Sequence, residues 1–163
     1  RLFKSSMRTA ADGATMEDLN SRTQALYTHL FMLALLCIAI SYFFVMFCQG
    51  KIRTKVFNAK FMEQFNEEHQ KVFGCNASKG GYPDSGNGYY AEKLEYGDWY
   101  VFNNWQRAHM NFLEQFAMLV TLLVIASINK PIMAMIAGFL IACGRSLYAI
   151  GYMGGGPSKR IPG

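Results

Sequence analysis

ALYTHLFMLALLCIAISYFFVMFC, residues 25–48, contains no Asp, Glu, Lys or Arg. A helix needs about 20 predominantly apolar residues to cross a bilayer. This stretch therefore predicts a transmembrane helix, and it sets the class of the whole chain. Just beyond it stand Gln49, Gly50 and the basic segment KIRTK. Lys51, Arg53 and Lys55 suit the headgroup region, to which long cationic side chains snorkel.

Composition agrees with a membrane setting. The chain of 163 residues is 52% hydrophobic and 17% charged, against roughly 25% charged in soluble domains. Mean hydropathy is only +0.08, so polar segments separate the apolar ones. The formal charge of +5 fits positive flanks near lipid or a site for anions. No basic stripe with interleaved aromatics occurs, which argues against nucleic acid as a partner. The cysteines, Cys37, Cys48, Cys75 and Cys143, form no C-x-x-C pair. Neither a metal site nor a disulfide framework is expected.

Upstream lies a polar segment, 1–24. RLFKSSMR at its start resembles the end of an organelle transit peptide. ATMEDLNSR predicts a short surface helix, with Thr15 as its cap and Asp18 three residues on. Downstream, residues 49–100 form an extramembrane insertion. Phe57, Phe61, Phe65 and Val72 have helical spacing, which predicts a helix lying along the membrane surface. CNASKGGYPDSGNGYY, residues 75–90, is dense in Gly, Pro, Asp, Asn and Ser and reads as a loop. Its NAS at 76–78 matches a glycosylation acceptor. GGYPDSGNG is not a phosphate loop, because no G-K-S/T follows at the required spacing.

Two further spans are predicted, at about 101–128 and 132–153. Trp99, Tyr100 and Trp105 suit an interfacial aromatic belt. Asn129, Lys130 and Pro131 form a tight connection, so these spans are antiparallel neighbours. GGG at 154–156 and Pro157 end the third. The expected fold is an all-α membrane-spanning helix bundle with three spans and a long polar loop between the first two. This topology brings the basic segment after the first span to the same membrane side as Arg107, Lys159 and Arg160.

Both later spans carry polar residues where these are costly. Arg107, Asn111 and Glu114 are spaced i, i+4, i+7 and share a helix face, which Met118 continues. Arg145, Tyr148 and Tyr152 do the same at i, i+3, i+7. Two uses are open. Glu114 could pair with Arg145 or Arg107 as an internal salt bridge that locks the helices. Alternatively, the stripes form a polar pocket for an anionic ligand, to which arginine is suited by its bidentate fork. His109, two residues from Arg107, faces another way and is expected to serve helix packing.

QRAHMNFLE, residues 106–114, resembles the Q-R-A-H-x-N-x-x-E signature of the MAPEG proteins, the membrane-associated glutathione and eicosanoid enzymes. GRSLYAIGYMGGGPSKR, residues 144–160, resembles that family's second segment. The motifs are most similar to those of the type-3 microsomal glutathione transferases. The resemblance is clear over 98–163, and it extends the reading of 25–163 as one transmembrane domain. It implies a bundle of four helices that forms a homotrimer, with glutathione as co-substrate between neighbouring subunits. By position, Arg107, Asn111, Glu114, Arg145, Tyr148 and Tyr152 would contact glutathione. Arg53, or its neighbours Lys51 and Lys55, would meet a glutathione carboxylate. Lys159 and Arg160 fall where the family places an arginine near the thiol, and are the catalytic candidates.

The chemistry is consistent. Glutathione carries two carboxylates and one amine, which arginines and Glu114 match, and a cation beside sulfur favours the nucleophilic thiolate. The implied reaction is conjugation to a lipophilic electrophile, or reduction of a lipid hydroperoxide, with the second substrate arriving from the bilayer. The family's location implies the endoplasmic reticulum. Three departures stand out. The sequence ends at Gly163, where a fourth span would begin. Gln115 and Ala117 replace a tyrosine and a proline found in relatives. And the insertion is longer than in the animal enzymes. They leave a second expectation of another class: a MAPEG-like structural subunit of a larger mitochondrial or plastid membrane complex.

Overall fold

The computed structural model describes residues 15–159. Within them no strand occurs, and the architecture is helical throughout. Five α-helices follow in order: α1 (Met16–Val56), α2 (Ala59–Met62), α3 (Asn66–Phe73), α4 (Tyr96–Asn129) and α5 (Pro131–Gly155). Helices α1, α4 and α5 are long and apolar enough to cross a membrane. The chain is thus a multi-pass membrane protein of the helical class.

α1 is longer than the apolar run alone predicts. Its 41 residues span about 62 Å at ~1.5 Å per residue, twice a hydrocarbon core. Thr15 does cap it, accepting from the Asp18 N–H at 3.2 Å. The predicted separate surface helix is instead its first turns. No Gly or Pro lies between Met16 and Leu26 to break it, so the helix that Thr15 starts runs on into the membrane. At the other end it passes through the basic segment and stops at Val56.

The three long helices pack mainly through small and branched residues. Phe31, Ile38 and Val45 of α1 meet Phe112 and Leu123 of α4 and Ala134, Ala142 and Ala149 of α5. Gly138 marks a close crossing, since a Cβ there would sit 2.9 Å from the Cβ of Ala34. Small residues at such crossings let backbones approach, which is how membrane helices gain dispersion contact. Ser146 donates to Ser41 at 3.1 Å across the same α1–α5 contact. Beside it an open apolar groove of about 530 Å³ runs between Ile40 and Leu147.

The insertion is not one continuous helix, and its phenylalanine face is covered by protein. α2, a 3-10 turn at Glu63–Phe65 and α3 wrap the phenylalanines inward. Phe57, Met62, Phe65, Ala77, Ala91 and Phe102 form a second hydrophobic core outside the bundle. The helical spacing of Phe57, Phe61 and Phe65 is realised only in part, since Phe57 lies in the turn after α1 and Phe65 in the 3-10 turn, and Phe102 of α4 packs against Phe57. Phe57 and Phe102 meet edge to face at 5.1 Å. Val72 and Phe73 remain exposed.

Candidate functional site

The depth of each polar group follows from one cross-helix bond. Gln49 of α1 donates through Nε2 to Oε1 of Gln106 on α4, so these two lie level, at the end of the apolar run. Tyr100 Oη and Asn104 close on Gly156, where a Cβ would meet them at 2.6 and 3.2 Å. The end of α1, the start of α4 and the end of α5 are therefore at one end of the bundle. Asn111 lies about 7.5 Å and Glu114 about 12 Å further along α4 than Gln106, at ~1.5 Å per residue. Both are inside the hydrocarbon depth.

The two stripes meet at one point. Arg145 of α5 donates from Nη1 to Asn111 Oδ1 at 2.8 Å. Its guanidinium also lies 5.7 Å from the centre of the Phe112 ring, within cation–π range. Arg145 and Tyr148 line a cleft of about 200 Å³ with Leu119, Ile141 and Gly144. Tyr148 and Tyr152 follow one turn apart, with ring centres 5.7 Å apart. Arg145 and Tyr148 are half-buried and Tyr152 is buried.

Arg107 and Glu114 do not enter this cleft as an ion pair. Both are exposed on the outer face of α4. Among the described residues the one salt bridge is Lys71 to Glu67 on α3, at 2.8 Å. The internal lock of Glu114 with Arg145 or Arg107 is therefore not formed. A carboxylate facing outward at the depth of Glu114 calls for protein or a water-filled cavity; Arg107, next to Gln106, stands at the boundary.

His109 faces away from the stripe, as its register requires. Its ring lies 5.8 Å from that of Tyr42 on α1, and its Nε2 is buried without a partner.

The remaining site residues fall elsewhere. Lys159 is exposed in the 3-10 turn Gly156–Lys159 that follows α5. Its methylenes cover Gly155, where any Cβ would collide with them. Arg160 lies outside the described residues. Lys51 is exposed at the end of α1, its ammonium 4.6 Å from the Phe47 ring, and Lys55 is exposed as well.

Arg53, the residue expected to meet a ligand carboxylate, is engaged within the chain. It is only 4% exposed and donates from Nη1 to the Gly80 carbonyl at 3.1 Å. The rings of Tyr82 and Phe102 flank it, at 4.4 and 5.0 Å from its guanidinium carbon. The insertion supplies the carbonyl and one ring, so Arg53 is consumed by the chain's own fold.

Sequence spacing missed the residues that fix this geometry. Gln106 was visible only as part of a motif, and its partner Gln49 only as a span terminator. Asp84 escaped notice altogether. It is buried, and its carboxylate accepts the N–H groups of Gly86, Gly88 and Ala91 at 2.7, 3.2 and 2.8 Å. An Asp followed by Gly at this density is the available signal, since such carboxylates organise turns.

In comparisons with known proteins, the model of the MAPEG family matches residues 30–163. No solved structure matches the chain.

Proposed function

The chain belongs to the MAPEG family, and on that premise we propose that it is a membrane glutathione-dependent transferase or peroxidase acting on lipophilic substrates. The observation that carries this reading is the Arg145–Asn111 bond at the mouth of a cleft, beside outward-facing Arg107 and Glu114. Two cations, one carboxylate and an amide, running from the membrane boundary at Arg107 inward to Glu114 and Arg145, complement a zwitterionic peptide that carries two carboxylates and one amine. Tyr148 and Tyr152 add hydroxyls and aromatic surface along the same face. The outward direction of Arg107 and Glu114 supports a site completed by a neighbouring copy, in a homotrimer.

The bound thiol reacts as thiolate, favoured by cations at the end of α5, for which Lys159 and Arg160 are the candidates. In conjugation, sulfur forms a bond to the electrophilic carbon and the leaving group departs with its electron pair. In peroxide reduction, sulfur attacks the distal oxygen, the O–O bond breaks and the alkoxide takes a proton. A second glutathione then converts the sulfenic acid to disulfide and water. On this reading the chain acts like the type-3 microsomal transferases its motifs resemble, with residues 25–163 as its transmembrane domain. The endoplasmic reticulum is the location this reading carries.

One observation favours a second reading. The insertion is a folded unit with its own core, and it has taken up Arg53. A family member kept as a structural subunit of a mitochondrial or plastid membrane complex would use such a unit for docking. Glutathione titration of the purified protein, followed by turnover of a lipophilic aryl halide and of a lipid hydroperoxide, separates the two. Saturable binding with turnover supports the enzyme. No binding at millimolar glutathione supports the subunit.

A further inference from the structure

Arg53 sits where three parts of the chain meet: the end of α1, the loop 78–91 and the start of α4. A guanidinium is expensive to bury without partners. Here it is held by the Gly80 carbonyl and between aromatic faces, while its Nε remains buried with no partner. Asp84, which turns the loop, adds a favourable charge interaction with it. The loop is fitted closely to this junction. Gly81 has φ +64°, and a Cβ there would come 2.5 Å from the Phe57 ring. Gly86 has φ +105°, and a Cβ there would come 2.7 Å from Asn103 Oδ1. Asn103 in turn donates to the Gly86 carbonyl at 2.8 Å.

We propose that Arg53 is a positioning residue: it clamps the 78–91 loop across the α1–α4 junction and so fixes the turns of α4 that carry Gln106 and Arg107. It touches no ligand. About one and a half turns of α4 link the clamp to the stripe. Phe102 stacks on Arg53, Asn103 holds the loop, and Arg107 lies about 7.5 Å beyond Phe102 at ~1.5 Å per residue. The clamp needs a planar, delocalised cation, so lysine is no substitute. This inference rests on the proposed function for its effect on glutathione, and on geometry alone for its effect on α4.

The test uses the full chain in lipid nanodiscs, with R53K, D84N and the double variant. D84N loosens the loop and removes a nearby negative charge while leaving the Arg53 side chain in place. Hydrogen exchange is followed in the loop and in residues 102–110, and glutathione affinity is measured in parallel. Each single variant is expected to speed exchange in both segments and to weaken glutathione binding by about 5-fold, a size usual for coupling through packed residues. The double variant should be no weaker than the worse single one, because both act through one loop. Loss of affinity by R53K with the loop still protected, multiplying with that of D84N, would mean direct ligand contact and overturn the proposal. Faster exchange confined to the loop, with α4 and affinity unchanged, overturns it too. If the native protein binds no glutathione, the proposed function fails, and the spread of exchange into α4 decides the clamp by itself. If R53K does not fold, D84N carries the same readouts.

Discussion

Arg53 and Arg107 are the same residue type near the same end of the bundle, with opposite fates. Arg53 is buried among aromatic rings and bonded to a carbonyl. Arg107 stands exposed on α4, with no ion pair among those of the described residues. One cation is enclosed by the chain's own fold; the other is the one proposed to meet another molecule. The lesson is that a cation's function is read from its burial and from what encloses it. Outside the bilayer, an exposed arginine means little, since water satisfies it. At membrane depth it demands a partner, and Glu114 and Arg145 are the groups to which that demand applies, with Arg107 at the boundary above them.

The sharpest break of this contrast is Arg145→Ala. Arg145 is the one cation of the stripes that already holds a bond, to Asn111. Its loss removes a charge-assisted contact and a substrate cation together, and glutathione affinity should fall by about 100-fold. Titration calorimetry reads this directly. On the insertion side, Gly81→Ala places a Cβ at positive φ and against Phe57. It should destabilise the insertion by about 2 kcal/mol, seen as faster proteolytic cutting within 75–95 while the long helices stay intact. Arg107→Ala should weaken glutathione by about 10-fold, as loss of one exposed partner to a carboxylate, or by ~1.4 kcal/mol. Lys71→Ala removes the exposed Lys71–Glu67 pair and should change stability by less than about 0.5 kcal/mol, with no effect on binding. If Lys71→Ala and Arg107→Ala affect binding equally, the distinction between a solvated and an unspent charge fails.

Much of the bundle was legible because the bilayer imposes it. An uncharged run such as 25–48 has one stable outcome, and the stripe of Arg107, Asn111 and Glu114 follows from helical spacing. His109 could be assigned to packing on register alone, and it packs on Tyr42. Which stripe member was already engaged could not be read, because the Asn111–Arg145 bond depends on how α4 and α5 lie against each other. The insertion was the less legible region. Its phenylalanines announce a helix, but the face they bury against includes Phe102 and Ala91, remote in sequence. Likewise the carbonyl that captures Arg53 belongs to Gly80, in a loop whose course is set by Asp84 and its three backbone donors. The continuity of α1 through Met16–Val56 was available in the sequence, in the absence of any breaker between its capped start and the apolar run.

The central claim is that the polar stripes of α4 and α5 form a glutathione site. Its most direct test is calorimetric titration of the purified protein in nanodiscs with glutathione, alongside Arg145→Ala at equal helicity. The account predicts saturable binding by the native chain and its near-complete loss in the variant. Equal binding by both, or no heat from either at millimolar glutathione, would contradict it.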